Sequence, residues 1–117
     1  MKKNQAFLTT VEFHILLALR TESLHGYQVI KQVETDTNGE VSLLTGTLYN
    51  AIKRLVEEEL IVGVEVVASE QQDSRRKYYQ LTEKGRKALG AELSRYEASV
   101  RLASSKQFVT LSGHVIA

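Results

Sequence analysis

The sequence contains no cysteine, no proline and no tryptophan. The missing cysteine excludes disulfides and every thiolate metal site, and it suits a reducing compartment. No stretch approaches the ~20 consecutive apolar residues that span a bilayer. Met1-Lys2-Lys3 has the charge of a signal-peptide start, but Asn4 and Gln5 follow where an apolar core would begin, and Glu12 and His14 interrupt the later apolar stretch. The expectation is a cytoplasmic protein with no membrane partner. Catalytic signatures are missing as well. There is no GxSxG, P-loop or GxGxxG segment. His14, His25 and His114 lack the spacing of a metal-ligand set, and no carboxylate pair has a catalytic setting. Neither an enzyme, a cofactor nor a metal is expected.

What is present is an ordinary globular composition. The 117 residues suit one compact domain plus one extra helix. With 43% hydrophobic and 25% charged residues, disorder is not expected. A core of this size is modest, so dimerisation would help to bury surface. The net charge of +1 says little about nucleic acid, but its distribution says more. Residues 1–60 carry 6 Lys/Arg against 8 Asp/Glu, and residues 61–117 carry 9 against 6. The excess gathers at Arg75, Arg76, Lys77, Lys84, Arg86 and Lys87, and phosphate responds to local rather than net charge.

Periodicity supplies the elements. Thr9-Thr10-Val11-Glu12 has the form of a capping box, and Val11, Ile15, Ala18 and Leu19 recur at helical spacing, which predicts a helix over about residues 10–20. Ser23-Leu24-His25-Gly26 reads as a turn and the start of a second helix, whose stripe is Tyr27, Ile30 and Val33. Asn38-Gly39 ends it, because both residues tolerate a left-handed backbone. A third helix starts near Thr45 with Leu48, Ala51, Ile52 and Leu55 as its inward face. Residues 61–68 and 75–82 read as a β-hairpin with a long tip, Tyr79 and Leu81 sharing one face. Thr82 is the expected N-cap of a last helix, in which Leu89, Leu93, Tyr96, Val100 and Ala103 make a heptad seam. About two heptads are too few for a free-standing coiled coil, so the seam should pack on a second subunit. The fold class is therefore mainly α with a β-hairpin wing. It is a winged helix-turn-helix domain over residues 1–82, followed by a C-terminal dimerisation helix and tail over residues 83–117.

In a helix-turn-helix the second helix of the pair enters the major groove. Placing Leu48, Ala51, Ile52 and Leu55 inward leaves Gly46, Asn50 and Lys53 outward, flanked by Thr47, Tyr49 and Arg54. Asparagine can bond adenine bidentately, and lysine can reach guanine or phosphate. The hydroxyls of Thr45 and Thr47, beside the free N–H groups of the first turn, suit a phosphate. Glu57, Glu58 and Glu59 would be repelled by phosphate, so the helix should enter with its N-terminus first. Arg75, Arg76 and Lys77 at the hairpin base are candidates for clamping phosphate or entering the minor groove.

Several of these residues have quieter readings. Tyr27, Tyr78 and Tyr79 suit packing better than DNA contact. Tyr49 fits either role. Arg54 can pair with Glu57 or Glu58 on its own helix. Lys84, Arg86 and Lys87 read as a solvated helix start. Tyr96 fits a dimer core as well as a ligand shelf. His14, beside Glu12, reads as a satisfied or exposed histidine.

Three blocks in order, Leu24-His25-Gly26-Tyr27, Thr45 to Leu55 and Arg76 to Gly85, resemble the PadR family of bacterial transcriptional regulators. The resemblance runs from about residue 10 to about residue 100. It implies a winged-helix fold, double-stranded DNA as partner, a homodimer through the C-terminal helix, and usually repression. The single C-terminal helix resembles the smaller subfamily, some of whose members bind flat aromatic compounds between the dimer helices; Tyr96 stands where such an effector would lie. Two departures bear on geometry. Glu59 stands where the family usually has Gly, so the helix-to-strand corner is expected to differ. Gln71-Gln72-Asp73-Ser74 stands where the family wing often has Gly or Pro. The competing reading is a winged-helix protein-interaction module without a DNA target, which the near-neutral net charge supports.

Overall fold

The computed structural model describes residues 7–69, 74–105, 108–109 and 115–116. Among these residues the elements run α1 (Thr10–Ala18), β1 (Leu24–His25), α2 (Gly26–Asp36), α3 (Thr45–Glu57), β2 (Ile61–Ser69), β3 (Ser74–Leu81) and α4 (Glu83–Ser105). Two short strands, β4 (Phe108–Val109) and β5 (Val115–Ile116), pair with each other in the tail. Three helices, a hairpin and a final helix make a winged helix, mainly α with a small antiparallel sheet.

α1 begins as its sequence requires. The Thr9 hydroxyl accepts from the Glu12 N–H at 3.1 Å, and the Glu12 carboxylate accepts from the Thr9 N–H at 3.0 Å. The same carboxylate, through Oε2, accepts from Arg54 Nε at 3.3 Å. Arg54 therefore pairs with α1 and not with Glu57 or Glu58 on its own helix. A buried acceptor across the bundle outcompetes two exposed carboxylates at the solvated end of α3. The helix ends at Ala18, two residues before the expected boundary, with Leu19 as its C-cap.

The segment expected to turn directly into α2 first makes a strand. Leu24 pairs with Tyr79 and His25 with Tyr78, so β1 adds to the hairpin and the sheet order is β1-β3-β2. Two residues are too few for alternation to be legible, and only the neighbouring hairpin makes them a strand. The α2 stripe is also shifted from its expected position. Val29 and Val33 are fully buried and Ile30 partly so, whereas Tyr27 is 64% exposed with Lys31 Nζ 5.8 Å from its ring centre. Tyr27 is thus not a core residue in this chain, because Gly26 and Val29 occupy the inward side of the first turn.

α2 and α3 end the same way. Gly39 N–H donates to Glu34 and Asn38 N–H to Thr35; Leu60 N–H donates to Leu55 and Glu59 N–H to Val56. Both are Schellman ends, which need a left-handed residue just past the helix. Asn38 takes φ 54° and Glu59 takes φ 64°. The corner that was expected to differ is therefore retained with glutamate in the left-handed position. Contacts from beyond the wing hold it. Thr82 Oγ1 donates to the Glu59 carbonyl at 2.6 Å, Lys84 Nζ to the Glu58 carbonyl at 2.9 Å, and Thr82 N–H to the Leu60 carbonyl at 3.1 Å. The Thr82 hydroxyl also accepts from Gly85 N–H at 2.9 Å, which caps α4. A Cβ on Gly85 would stand 2.0 Å from the Leu60 carbonyl oxygen, so only glycine permits this approach.

The core sits between the helices and the sheet base. Ile15, Leu16, Val29, Val33, Leu48, Leu55 and Ile61 are its fully buried members, closed by Tyr79, Leu81 and Leu89. Strand alternation puts Ile61, Tyr79 and Leu81 inward and leaves Val62, Val64 and Val66 exposed on the outer face of β2. A glutamate at φ 64° carries strain that glycine lacks, and three carboxylates there oppose the helix dipole. Glu59→Gly should therefore stabilise the protein by about 1 kcal/mol, read as a higher midpoint in urea unfolding.

Candidate nucleic-acid interface

α3 separates its residues as the pattern predicts. Leu48, Ala51, Ile52 and Leu55 are buried, while Thr45, Gly46, Thr47, Asn50, Lys53 and Arg54 are exposed. Its N-cap, Leu44, supplies no side-chain acceptor, so the first-turn N–H groups remain open beside the Thr45 and Thr47 hydroxyls. Among the described residues, neither Asn50 nor Lys53 is engaged in a side-chain hydrogen bond or ion pair, while Arg54 is drawn toward Glu12. Glu57, Glu58 and Glu59 are exposed at the far end. The helix thus has a neutral entry, Lys53 and Arg54 past its middle and an acidic exit.

Tyr49 has one definite contact. A Cβ on Gly26 would lie 2.1 Å from its hydroxyl oxygen and 2.8 Å from its Cζ, so the ring lies across the start of α2. Burial first, and the nearby Tyr49 second, push the Tyr79 phenol above its ordinary value. Tyr49 is still 46% exposed. It therefore both ties α3 to α2 and shows part of its ring outward.

The basic run on the wing does not form one patch. Arg76 pairs with Val66 and Lys77 with Glu65, and successive residues of a strand face opposite ways. Lys77 shares the face of Tyr79. Arg76 shares the other face with Tyr78 and meets β1, its Nη1 lying 3.2 Å from His25 Nε2. Both basic residues are exposed. The Arg75 side chain and residues 70–73 at the tip lie outside the described residues. Tyr78 is half-buried, its ring edge-on to His25 at 5.3 Å. His25 was not singled out in the sequence as a site residue. Its position directly before Gly26 was the available signal, since a residue there must cap α2.

The α4 seam is only partly covered by its own chain. Leu89 joins the core, whereas Leu93, Tyr96 and Val100 are 41%, 44% and 64% exposed, Leu102 is 65% exposed, and Ala103 is half-buried. Tyr96 meets Phe13 of α1 edge-on at 5.0 Å. Burial first, then the hydrogen bond and charge of Glu92, push its phenol above the ordinary value, against an opposing effect of Arg95. Glu92 is itself buried and pairs with Arg95, whose guanidinium lies 4.3 Å from the Phe7 ring. Leu89, Glu92 and Tyr96 fall at i, i+3 and i+7, the spacing that could have marked Glu92 as inward despite its charge. His14 is half-buried and neither satisfied nor fully exposed, its Nδ1 being buried without a partner among the described residues.

The Gly26–Tyr49 contact makes a direct test. Gly26→Ala should cost about 1–3 kcal/mol as an overpacked contact. Adding Tyr49→Ala in that background should recover part of the loss, measured as a double-mutant cycle by thermal or urea unfolding.

Residues 15–91 match the family model described as the transcriptional regulator PadR-like family. No protein of curated function matches the chain at a significant level. Among solved structures, a PadR family transcription regulator from Clostridium difficile is 26% identical with a TM-score of 0.70, covering 83% of this chain and 97% of that one. A transcriptional regulator from Clostridium thermocellum is 26% identical with a TM-score of 0.68, covering 86% and 90%. PadR of Bacillus subtilis, solved in complex with operator DNA, shares the fold at 23% identity with a TM-score of 0.64, covering 73% of this chain and 47% of that one. With the family model matched over most of the winged helix, this chain belongs to the PadR-like family of transcriptional regulators.

Proposed function

We propose that this regulator binds double-stranded DNA sequence-specifically as a homodimer and acts as a repressor. The observation that carries the reading is the outward face of α3. Thr47, Asn50 and Lys53 are exposed along one face, which starts at the open first-turn N–H groups, while the carboxylates collect at the far end. Asn50 and Lys53 read base edges; Thr45 and Thr47 grip a phosphate; Tyr49 borders the groove. Arg76 and Lys77, with Arg75 toward the tip, hold flanking backbone from the wing. The Bacillus subtilis PadR bound to operator DNA shares this fold, which supports the same docking here.

Dimerisation follows from α4. A 23-residue helix with Leu93, Tyr96, Val100 and Leu102 exposed carries apolar surface that a second copy would cover. The division at residue 82 then separates a DNA-binding unit from a helix that sets the spacing of two such units at about one helical turn, ~34 Å. Tyr96, with its ring half open beside Phe13, offers a flat surface for a planar aromatic effector between the paired helices. A second reading, a winged helix that binds protein without a DNA target, is favoured by the exposed row Val62, Val64 and Val66.

Binding to the DNA upstream of the protein's own gene, measured over several salt concentrations, separates these readings. Specific binding with a steep salt slope is expected, and its absence at low salt rejects the DNA reading. Asn50→Ala should cost about 1–3 kcal/mol and relax specificity at one position, whereas Arg76→Ala should weaken all sequences alike and flatten the slope by about one unit. Leu93→Glu with Val100→Glu should give a monomer by sedimentation and weaken operator binding. A persisting dimer would remove α4 from the interface.

A further inference from the structure

The junction between α2 and the wing brings two hydrogen-bond donors face to face. His25 caps α2 through its ring: Nδ1 accepts from Gln28 N–H at 3.3 Å, and His25 N–H donates to Gln28 Oε1 at 3.1 Å. On the opposite side of the same ring, Nε2 faces Arg76 Nη1 at 3.2 Å. A neutral imidazole has one lone pair, and two donors approach it here. While Nδ1 accepts from Gln28, Nε2 carries the hydrogen and faces a guanidinium that can only donate. Two donors held this close, both reaching solvent, are satisfied together by a negatively charged acceptor between them.

The position of the pair selects the acceptor. His25 adjoins Gly26, over which Tyr49 of α3 lies, and Arg76 stands on the wing. The pair therefore sits between the two elements assigned to the groove and the flanking backbone. We propose that His25 and Arg76 together form a clamp for one DNA backbone phosphate, His25 donating to it through Nε2–H and Arg76 through its guanidinium. The proposal rests on the DNA-binding reading and adds a residue and a proton dependence to it.

The proton dependence follows from charge. Arg76 and Tyr78 face the ring from β3, and Gln28 faces it from α2 without charge; Tyr49 of α3 lies against the adjoining Gly26. Partial burial first, and the Arg76 guanidinium second, hold the imidazole below the ordinary histidine value in the free protein. A phosphate in the clamp screens Arg76 and stabilises the imidazolium; the added proton enters at Nδ1, where it displaces the hydrogen bond from Gln28 N–H, and the phosphate's charge drives that exchange on binding. The midpoint is then higher in the complex than in the free protein. Affinity accordingly rises as pH falls through the bound-state midpoint and levels off below the free-state midpoint. The limit is about tenfold per pH unit for each protomer that gains one proton.

Two measurements on the full chain test this. In the free protein, the His25 imidazole is titrated by nuclear magnetic resonance in wild type and in Arg76→Gln. A rise in its midpoint on removing the guanidinium is expected, and an unchanged midpoint overturns the pairing. Binding to the gene's upstream duplex is then followed across neutral and mildly acidic pH at constant ionic strength. Wild type should tighten toward acid, and His25→Asn, which retains a good N-cap residue, should bind with a flat profile. A flat wild-type profile, or a slope that survives in His25→Asn, overturns the clamp. If wild type binds no DNA at any pH, the DNA reading and the clamp fail together, and the free-protein titration still reports whether the pair exists.

Discussion

The Leu60 carbonyl is the point from which the working parts of this molecule project. It accepts from Thr82 N–H, and Gly85 presses against it at a distance that no side chain would allow. Through that one peptide group the end of α3, the return of the wing and the start of α4 are fixed to one another. The Thr82 hydroxyl reinforces the joint twice, donating to the Glu59 carbonyl and accepting from Gly85 N–H. Buried apolar surface holds the bundle together, but it is non-directional. The hydrogen-bonded corner is what gives the wing and α4 definite angles relative to α3.

A second constraint links the outward face of α3 to the scaffold. Glu12 caps α1 and pairs with Arg54, so α3 is held against α1 by a residue that was already needed for capping. Gly26 admits Tyr49, so α3 is also keyed to the start of α2. Both contacts leave Asn50 and Lys53 uncommitted. The two ties fix the position of α3 through Arg54 and Tyr49 and leave the side chains of Asn50 and Lys53 free.

Much of this could be read from the chain alone. The capping box at Thr9, the stop at Asn38-Gly39, the inward face of α3 and the N-cap at Thr82 all depend on spacing within about two helical turns, and each formed as the spacing predicts. The misplaced features share the opposite property. Leu24-His25 becomes a strand because β3 lies beside it, and Arg54 turns to a carboxylate forty-two positions away. Tyr27 points outward because α2 turns Val29 and Val33 toward a core built from residues distant in sequence.

The basic run at Arg75, Arg76 and Lys77 shows the same limit at the candidate site. Its composition makes the wing a candidate phosphate-facing element, and that depends only on which residues occur together. Which base faces which way depends on strand register: Arg76 joins His25 and Tyr78, and Lys77 joins the face of Tyr79. Local spacing thus determined the four helices, the hairpin, the caps at Thr9 and Thr82 and the two faces of α3, because hydrogen-bond geometry and helical period act over a few residues. The tertiary structure decided the left-handed Glu59, the division of the basic run and the meeting of His25 with Arg76. Each of these requires atoms distant in sequence to come within hydrogen-bonding or van der Waals distance, and only the packed chain brings them there.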